Sequence, residues 1–438
     1  MNGKKHIAIL GFGREGKSVL KFLRRDKKLK NSDITILDSS EKTIAPKGVS
    51  LRLGKNYLKN LEDFDLVFRS PGVPFEAPEL KKARKNGVKF SSATKLFFER
   101  CKAPVIGVTG TKGKGTTSYL LYKILKSHQL HSGQAAKKDV YLAGNIGTPA
   151  IDILPKLKRD SIVILELSSF QLQDLDRSPK ISVVLEVFPD HQDSHRNLRE
   201  YYRAKSNVAR HQGPKDAVFF FGDYPKSRAV ASTGRGKKVP VFPKEFTFFD
   251  PAELKIRGAH NFRNVALATA VADYLRIPKK TIVRAVKNFR GLEHRLEFVR
   301  QIGNVSFYND SASTNPQTSS AALKSFPDDA ISIILGGSDK GLDYKPLKHA
   351  IARAKPGLVV LMGANAKKIA KALAGSGVKT KFAGTQKEAV RLAYESLRGL
   401  PRPGVVIYSP GAASFDMFKN YADRGERFKK IVRGISPY

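Results

Sequence analysis

Short continuous apolar runs alternate along the chain with stretches whose apolar positions recur every three or four residues. The first pattern is that of strands buried on both faces, the second that of helices with one apolar side. Ile7–Leu10, Ile34–Leu37 and Leu66–Phe68 read as strands and Lys17–Arg25 as a helix, with a loop Ser70-Pro71-Gly72-Val73-Pro74 after the third strand. A new strand, Val105–Val108, starts behind Pro104, which places a border near Arg100. The second block continues with strands Ile162–Leu167 and Ile181–Val187 and helices Thr116–His128 and Asn197–His211. Asp223–Gly258, rich in Lys, Pro, Gly and Phe, reads as loops and short strands. Asn261–Leu275 returns to a helix with the stripe Val265, Ala268 and Ala272. A third block opens near His294, with strands Val305–Tyr308, Ile331–Leu335, Leu358–Leu361 and Val405–Tyr408. Regular alternation of this kind predicts parallel α/β architecture.

At 438 residues, with 41% hydrophobic, the chain is too long for one core and apolar enough for two or three. No apolar run is long enough to span a bilayer. The start, with two lysines before a short apolar run, is only superficially leader-like. Gly11 and Gly13 follow at once and no small-residue cleavage site appears, so a buried first strand and a cytoplasmic protein are expected. Cys101, the only cysteine, excludes an internal disulfide. The net charge of +40 suits polyanionic partners. It is nevertheless spread over runs such as Arg24-Arg25-Asp26-Lys27-Lys28 and Lys81-Lys82-Ala83-Arg84-Lys85. A generally basic surface and a dedicated polyanion site both fit, while zinc fingers and aromatic RNA-binding motifs are absent, so no specific nucleic acid is expected.

Two glycine-rich turns carry candidate chemistry. Gly11-Phe12-Gly13-Arg14-Glu15-Gly16 lies between a strand and a helix, where glycines let the backbone approach a pyrophosphate, and Asp38 ends the next strand within reach of a ribose. A tight turn without ligand is the plain alternative. In the second turn, Val105–Val108 runs into Thr109-Gly110-Thr111-Lys112-Gly113-Lys114-Gly115-Thr116-Thr117 and then a helix. Backbone N–H groups of such a loop face phosphate oxygens, and Lys114 neutralises the terminal phosphates. A second phosphate loop argues against hydride transfer by the first. One departure stands out: Gly115 occupies the place where a magnesium-binding hydroxyl usually sits, and Thr116 points about 100° away from it.

These motifs, taken in order, resemble the Mur ligases. Beyond the phosphate loop, the resemblance rests on Ala143-Gly144-Asn145-Ile146-Gly147-Thr148-Pro149, Glu166-Leu167-Ser168-Ser169-Phe170-Gln171-Leu172 and Asp190-His191. It continues through Gly258-Ala259-His260-Asn261, His294-Arg295, Asn309-Asp310-Ser311 and Ser409–Asp416. The glycine-rich first block with Ser70-Pro71-Gly72 is similar to the branch of the family that adds D-glutamate. The resemblance implies three α/β domains: a Rossmann-like N-terminal domain (1–99) for the UDP substrate, a central P-loop ATPase-like parallel sheet (100–292), and a C-terminal Rossmann-like domain (293–438) for the amino acid. The implied reaction is cytoplasmic: ATP phosphorylates UDP-N-acetylmuramoyl-L-alanine, and D-glutamate attacks the acyl phosphate, in a monomer that needs no membrane.

The resemblance also assigns roles. Gly110, Thr111, Lys112, Gly113, Lys114, Gly115, Thr116, Thr117, Asn261, Asn264, Arg295 and Asp310 would meet ATP. Gly13, Arg14, Glu15, Asp38, Ser39, Ser70, Pro71, Gly72, Asn145, Ser168, Ser169 and Gln171 would hold the UDP substrate. Thr314, Lys340, Ser414, Phe415 and Tyr421 would hold D-glutamate, although the last two aromatics also suit a plain core. Thr116, Glu166, His191 and Lys205 form the metal set for two Mg²⁺ sites, Lys205 matching the lysine that the family carbamylates; Lys114, Glu166, His191 and Lys205 are the catalytic candidates. The plain alternatives are a structural carboxylate, a structural histidine, a surface lysine and, for Arg295, a simple salt bridge. Ala312, where lysine is common, and the shifted acidic residue in Gly336-Gly337-Ser338-Asp339-Lys340 leave another amino acid or acceptor open. A nucleic-acid-stimulated NTPase and a binding protein without turnover are the remaining rivals.

Overall fold

A computed structural model describes residues 4–131, 138–189 and 195–436. Three sheets carry the chain. In the first, the strands run Ser50–Leu53, Asp33–Asp38, His6–Leu10, Leu66–Arg69 and Lys89–Ser91, all parallel. Ile7 to Leu10 are wholly buried, as a central parallel strand requires. The chain order reverses beside this strand, so its carboxyl end faces a crevice of the kind that binds nucleotides. Helix Arg14–Leu23 starts one turn earlier than the apolar stripe suggests, because Gly13 caps it and its carbonyl accepts from Lys17 N.

The second sheet is also parallel, in the order Lys237–Val241, Ala217–Phe221, Ile181–Val184, Val105–Thr109, Ile162–Glu166 and Val140–Gly144. The strand expected to reach Val187 stops at Val184. Beyond it the chain still pairs, but with the phosphate loop: Leu185 N donates to Thr109 O and Thr111 N to Glu186 O. The stretch read as loops and short strands contains helix Pro225–Ala231 as well as strand Lys237–Val241. The third sheet runs Glu297–Ile302, Val305–Asn309, Gly404–Tyr408, Ala330–Leu335, Leu358–Leu361 and Thr380–Phe382. Here the parallel expectation needs a correction. Glu297–Ile302 is antiparallel to its neighbour through a two-residue turn at Gly303-Asn304, and its mixed polar sequence conceals it from a search for apolar runs. None of the described helices is long and apolar enough to cross a membrane.

Compactness divides the chain into two units: residues 1–246 with 264–282, and residues 247–263 with 283–438. The expected border at 99/100 falls at the last residue of helix Ala93–Arg100, ahead of strand Val105–Thr109, and that at 292/293 between helix Lys279–Lys287 and strand Glu297–Ile302. The first two sheets share the first unit and one continuous core, in which Ile7, Ile36, Phe68 and Phe97 pack in a cluster with Val105, Leu165, Val184 and Val218. Polar groups cross the same junction. Arg69, buried at the end of its strand, donates to Val73 O (2.9 Å) and Phe170 O (2.9 Å) and pairs with Asp174 at 3.4 Å. Ser18 Oγ donates to Asp152 at 2.8 Å.

A buried pair broken on one side leaves a charge that neither water nor a partner compensates. Arg69→Leu is therefore expected to lower the unfolding free energy by about 3 kcal/mol, seen as a lower urea midpoint. Adding Asp174→Asn to it should recover part of the loss.

Candidate active site

The phosphate loop lies at the carboxyl edge of the second sheet, between Val105–Thr109 and helix Lys114–His131. The Lys114 ammonium curls over the loop and donates to Gly110 O and Thr111 O, both at 3.0 Å. Lys205, from helix Leu198–Arg210, reaches the same Gly110 O at 2.7 Å and lies 4.8 Å from the centre of the Tyr201 ring. Lys205 is buried, so it is not one more surface lysine. Two cations thus converge on one carbonyl at the turn. Gly113 has φ +81°, and a Cβ there would meet Asn264 Oδ1 at 2.3 Å, so the Asn264 side chain lies directly on the loop. Lys112 is exposed and Gly115 and Thr116 are half-buried, whereas Thr117 is buried and its hydroxyl has no hydrogen-bond partner among the described residues.

Neighbouring strands deliver the next groups to the same edge. Glu166 is level with Val108 on one side and Gly144 on the other. Its Oε1 accepts from Asn145 Nδ2 at 2.9 Å and its carbonyl from Asn145 N at 2.9 Å, which fixes this buried carboxylate beside the phosphate loop. Ser168 then caps a short helix, with Gln171 N donating to Ser168 Oγ and Ser168 N to Gln171 Oε1. The Gln171 amide goes to Glu15 at 2.6 Å. Ser169 Oγ lies 3.0 Å from His195 Nε2, and the His195 ring stacks on Phe170 at 4.8 Å. His191, with Asp190, lies outside the described residues. On either side of them, Phe188 exchanges hydrogen bonds with the Thr111 hydroxyl and His195 meets Ser169.

At the carboxyl edge of the first sheet, Asp38 accepts from Phe12 N (2.7 Å) and Ser40 N (2.8 Å), tying the glycine turn to the next loop. Ser70 Oγ donates to Gly11 O at 2.7 Å, which brings Ser70-Pro71-Gly72 to the same point; Gly13, Ser39 and Gly72 are exposed there. Arg14 and Glu15 face the second sheet instead. The guanidinium holds Asn145 O (2.8 Å) and Gly147 O (2.9 Å), and burial raises the Glu15 carboxyl above its ordinary range against the opposing Gln171 bond.

In the other unit, exposed Arg295 is flanked by two strained residues, His294 at φ +63° and Leu296 at φ +43°. Buried Asp310 holds this turn: its Oδ1 accepts from Leu296 N at 3.1 Å, while Oδ2 accepts from the hydroxyls of Ser313 and Ser409. Both carboxylate oxygens are thus engaged within the protein. Burial pushes the Asp310 carboxyl up to about 6, against the lowering effect of the two serines, Leu296 N and Arg295. Asn261 Nδ2 donates to Arg257 O at 2.8 Å. The five candidate amino-acid contacts lie around the carboxyl edge of the third sheet. Lys340 lies 5.4 Å from the centre of the exposed Phe415 ring, Ser414 is buried, Thr314 is exposed, and half-exposed Tyr421 packs against His294 at 6.1 Å. Phe415, 67% exposed, is not a core aromatic.

Profiles of known families match the chain in three consecutive parts: the Mur ligase MurD-like N-terminal domain over residues 5–92, the Mur ligase middle domain over 108–272, and the Mur ligase glutamate ligase domain over 294–409. The UDP-N-acetylmuramoylalanine–D-glutamate ligase of Acetivibrio thermocellus is 36% identical, over 98% of this chain and 97% of its own. The chain belongs to the Mur ligase family. The ligase of the same name from Symbiobacterium thermophilum is also 36% identical, over 99% of both chains. Mur ligase structures share the fold. The UDP-N-acetylmuramate–alanine ligase of Thermotoga maritima is 20% identical with a TM-score of 0.54, covering 98% of this chain and 99% of its own. MurF of the same organism, solved with ADP, is 16% identical with a TM-score of 0.52, over 99% and 96%.

Within this Mur ligase, the motif reading passed over three polar residues that the structure places among these loops: Arg69, His195 and Arg424. Each has a faint signal. Arg69 ends an apolar strand, His195 follows His191 by one helical turn's spacing, and Arg424 interrupts the apolar stripe that continues at Phe428 and Val432.

A side chain at Gly113 would combine a left-handed backbone with a clash on Asn264. A strain of about 1–3 kcal/mol corresponds to roughly tenfold or more in affinity, so Gly113→Ala should weaken calorimetric binding of a non-hydrolysable ATP analogue by that factor. For Asp310, the folded state holds its proton to higher pH than the unfolded chain does. Its carboxylate therefore costs stability increasingly as pH rises from about 4 to about 6, and constantly above that. The thermal midpoint of the unaltered protein should fall relative to Asp310→Asn across this window and then run parallel to it.

Proposed function

We propose that this Mur ligase joins D-glutamate to UDP-N-acetylmuramoyl-L-alanine at the expense of ATP, as a cytoplasmic monomer in peptidoglycan precursor synthesis. The observation that carries the reading is full-length identity of 36% to ligases named for that reaction, together with Lys114, Lys205 and Glu166 gathered on one sheet edge. Residues 1–99, 100–292 and 293–438 would serve as the nucleotide-sugar, ATP and amino-acid modules.

Amide formation from a carboxylate first needs a leaving group. An alanyl carboxylate oxygen attacks the γ-phosphorus of ATP, the bond to ADP breaks, and an acyl phosphate forms. The amine of D-glutamate then attacks the acyl carbon. The tetrahedral intermediate collapses with cleavage of the C–O bond to phosphate, and one proton is released per amide formed. Negative charge accumulates on the phosphoryl group in both steps, so fixed cations are the principal demand. Lys114 meets it by leaving the carbonyls of Gly110 and Thr111 for a phosphate oxygen, a stronger, charge-assisted partner. The Gly113 turn lets the backbone approach the phosphates, and Asn264 closes over that turn. Asn145 holds Glu166 in place, while the Arg14 grip on Asn145 O and Gly147 O binds the first sheet's glycine turn to the same loop.

The donor set also fits magnesium: Glu166 and Thr116 offer hard oxygens, with His191 the third candidate. When bound, Mg²⁺ screens the phosphates from the incoming carboxylate. Lys205 fits carbamylation, because a carbamate on Nζ keeps one N–H for Gly110 O while adding two anionic oxygens for a second metal. At the third sheet, Lys340 and the loop carrying Ser414 and Phe415 would receive the carboxylates of D-glutamate.

The test is phosphate release and product mass with UDP-N-acetylmuramoyl-L-alanine, ATP, Mg²⁺, bicarbonate and a panel of amino acids. Release is expected only with both co-substrates, with D-glutamate preferred, and Lys114→Ala should reduce it by at least about 10²-fold. Turnover with a different amino acid, or stimulation by nucleic acid alone, would displace the proposal.

A further inference from the structure

Helix Tyr421–Arg433 buries one stripe, made of Arg424, Gly425, Phe428, Lys429 and Val432. An arginine on such a stripe is costly unless every donor finds an acceptor. Arg424 is 1% exposed, and its guanidinium is engaged on all three nitrogens. Nε donates to Ser311 Oγ at 3.0 Å, Nη2 to Ser311 O at 2.8 Å and to Ala412 O at 3.0 Å, and Nη1 to Ala413 O at 3.2 Å. Ala413 O also accepts from Ser338 N at 2.9 Å. One side chain thus fastens the loops that follow the adjacent strands Val305–Asn309 and Gly404–Tyr408, and the loop after Ala330–Leu335 joins them through Ala413 O, which Arg424 shares with Ser338 N. The fit is close: Gly337 has φ +156°, and a Cβ on it would lie 2.2 Å from Ala413 O and 3.1 Å from Arg424 Nη1.

We infer that Arg424 is the positioning residue of the amino-acid pocket, which rests on the reading above that this sheet edge receives D-glutamate. Four of the candidate contacts lie within three residues of an atom that Arg424 holds or of Ser338, which shares Ala413 O with it. Ser414 and Phe415 follow Ala413, Thr314 follows Ser311 by three residues, and Lys340 follows Ser338 by two. The guanidinium is buried and spends four of its five N–H groups on the protein, so it acts on the pocket through the loops it holds. It sets the spacing between three loops, and that spacing decides whether Lys340 and the Ser414 loop can meet both carboxylates of one ligand. Only a planar fork serves four acceptors at these angles. Lysine brings the charge but one donor centre.

A merely structural arginine predicts something different from a positioning one. Loss of packing reduces the amount of active enzyme and leaves the Michaelis constants alone, whereas displaced loops change the constant of one substrate. The experiment is steady-state kinetics of the full-length protein with each of the three substrates varied, for the unaltered protein, Arg424→Lys and Ser311→Ala. Arg424→Lys should raise the KM for D-glutamate roughly tenfold or more while the KM values for ATP and the UDP substrate stay within about twofold. Ser311→Ala, which removes the acceptor of Nε together with the hydroxyl's bond to Tyr421 O and leaves the other guanidinium contacts in place, should raise the same constant by a smaller factor. It decides the matter alone if Arg424→Lys does not fold. An unchanged KM for D-glutamate in the folded variants, or an equal rise in all three constants, would overturn the role of Arg424. Absence of D-glutamate turnover in the unaltered protein would instead remove the reading beneath it.

Discussion

Two ammonium groups, Lys114 and Lys205, aim at the carbonyl oxygen of Gly110 from opposite ends of the chemistry, one from the phosphate loop and one from a helix far along the chain. Like charges held this close in a partly dry cleft are stable only where negative charge accompanies them. The arrangement gathers two cations at the carboxyl edge of the second sheet, on the edge that also carries the Glu166 carboxylate. It constrains what surrounds it: a glycine where Asn264 presses on the loop, Glu166 pinned by Asn145, and a Tyr201 ring beneath Lys205. A triphosphate transferring its terminal group is the ligand chemistry that suits such a concentration of cations.

The first sheet reaches that edge through polar contacts that do two tasks at once. Arg14, Glu15 and Gln171 resemble substrate contacts, and in the structure they join the glycine turn of one sheet to the strand-end loops of the other. A nucleotide sugar bound at the first sheet, as proposed, would be held by a body that shares a core with the sheet carrying the phosphate loop. This economy suits a reaction that needs an acceptor carboxylate placed within attacking distance of a phosphorus atom.

The third sheet solves a different problem. Its strand-end loops, proposed to receive the amino acid, carry exposed Arg295 on backbone that is strained at His294 and Leu296, and buried polar side chains supply the restraint. Asp310 secures the His294–Leu296 turn from below, and Arg424 secures the loops beyond it. Buried charges are poor sources of stability. Their presence here is accounted for by the geometry they impose on loops that have no regular secondary structure of their own.

Much of this was legible in the amino-acid order. Continuous apolar runs announced most inner strands of the three sheets, because a parallel strand buried on both faces must be apolar throughout; the equally apolar inner strand Ala217–Phe221 is missing from that reading. The two glycine turns, Lys114, Glu166 and the family resemblance announced the chemistry. Edge strands such as Ser50–Leu53, Lys89–Ser91 and Glu297–Ile302 were illegible, since one exposed side frees them from the pattern. The tasks of Arg14, Glu15, Asp310 and Arg424 were equally hidden. A local motif specifies which groups a residue offers, but its partners come from strands and helices distant in the chain. Arg424 meets Ser311 across 113 positions and Arg14 meets Gly147 across 133. Apolar periodicity is a local property, so it is written along the chain; the pairing of buried polar groups depends on long-range packing, and emerges only once the sheets have closed over them.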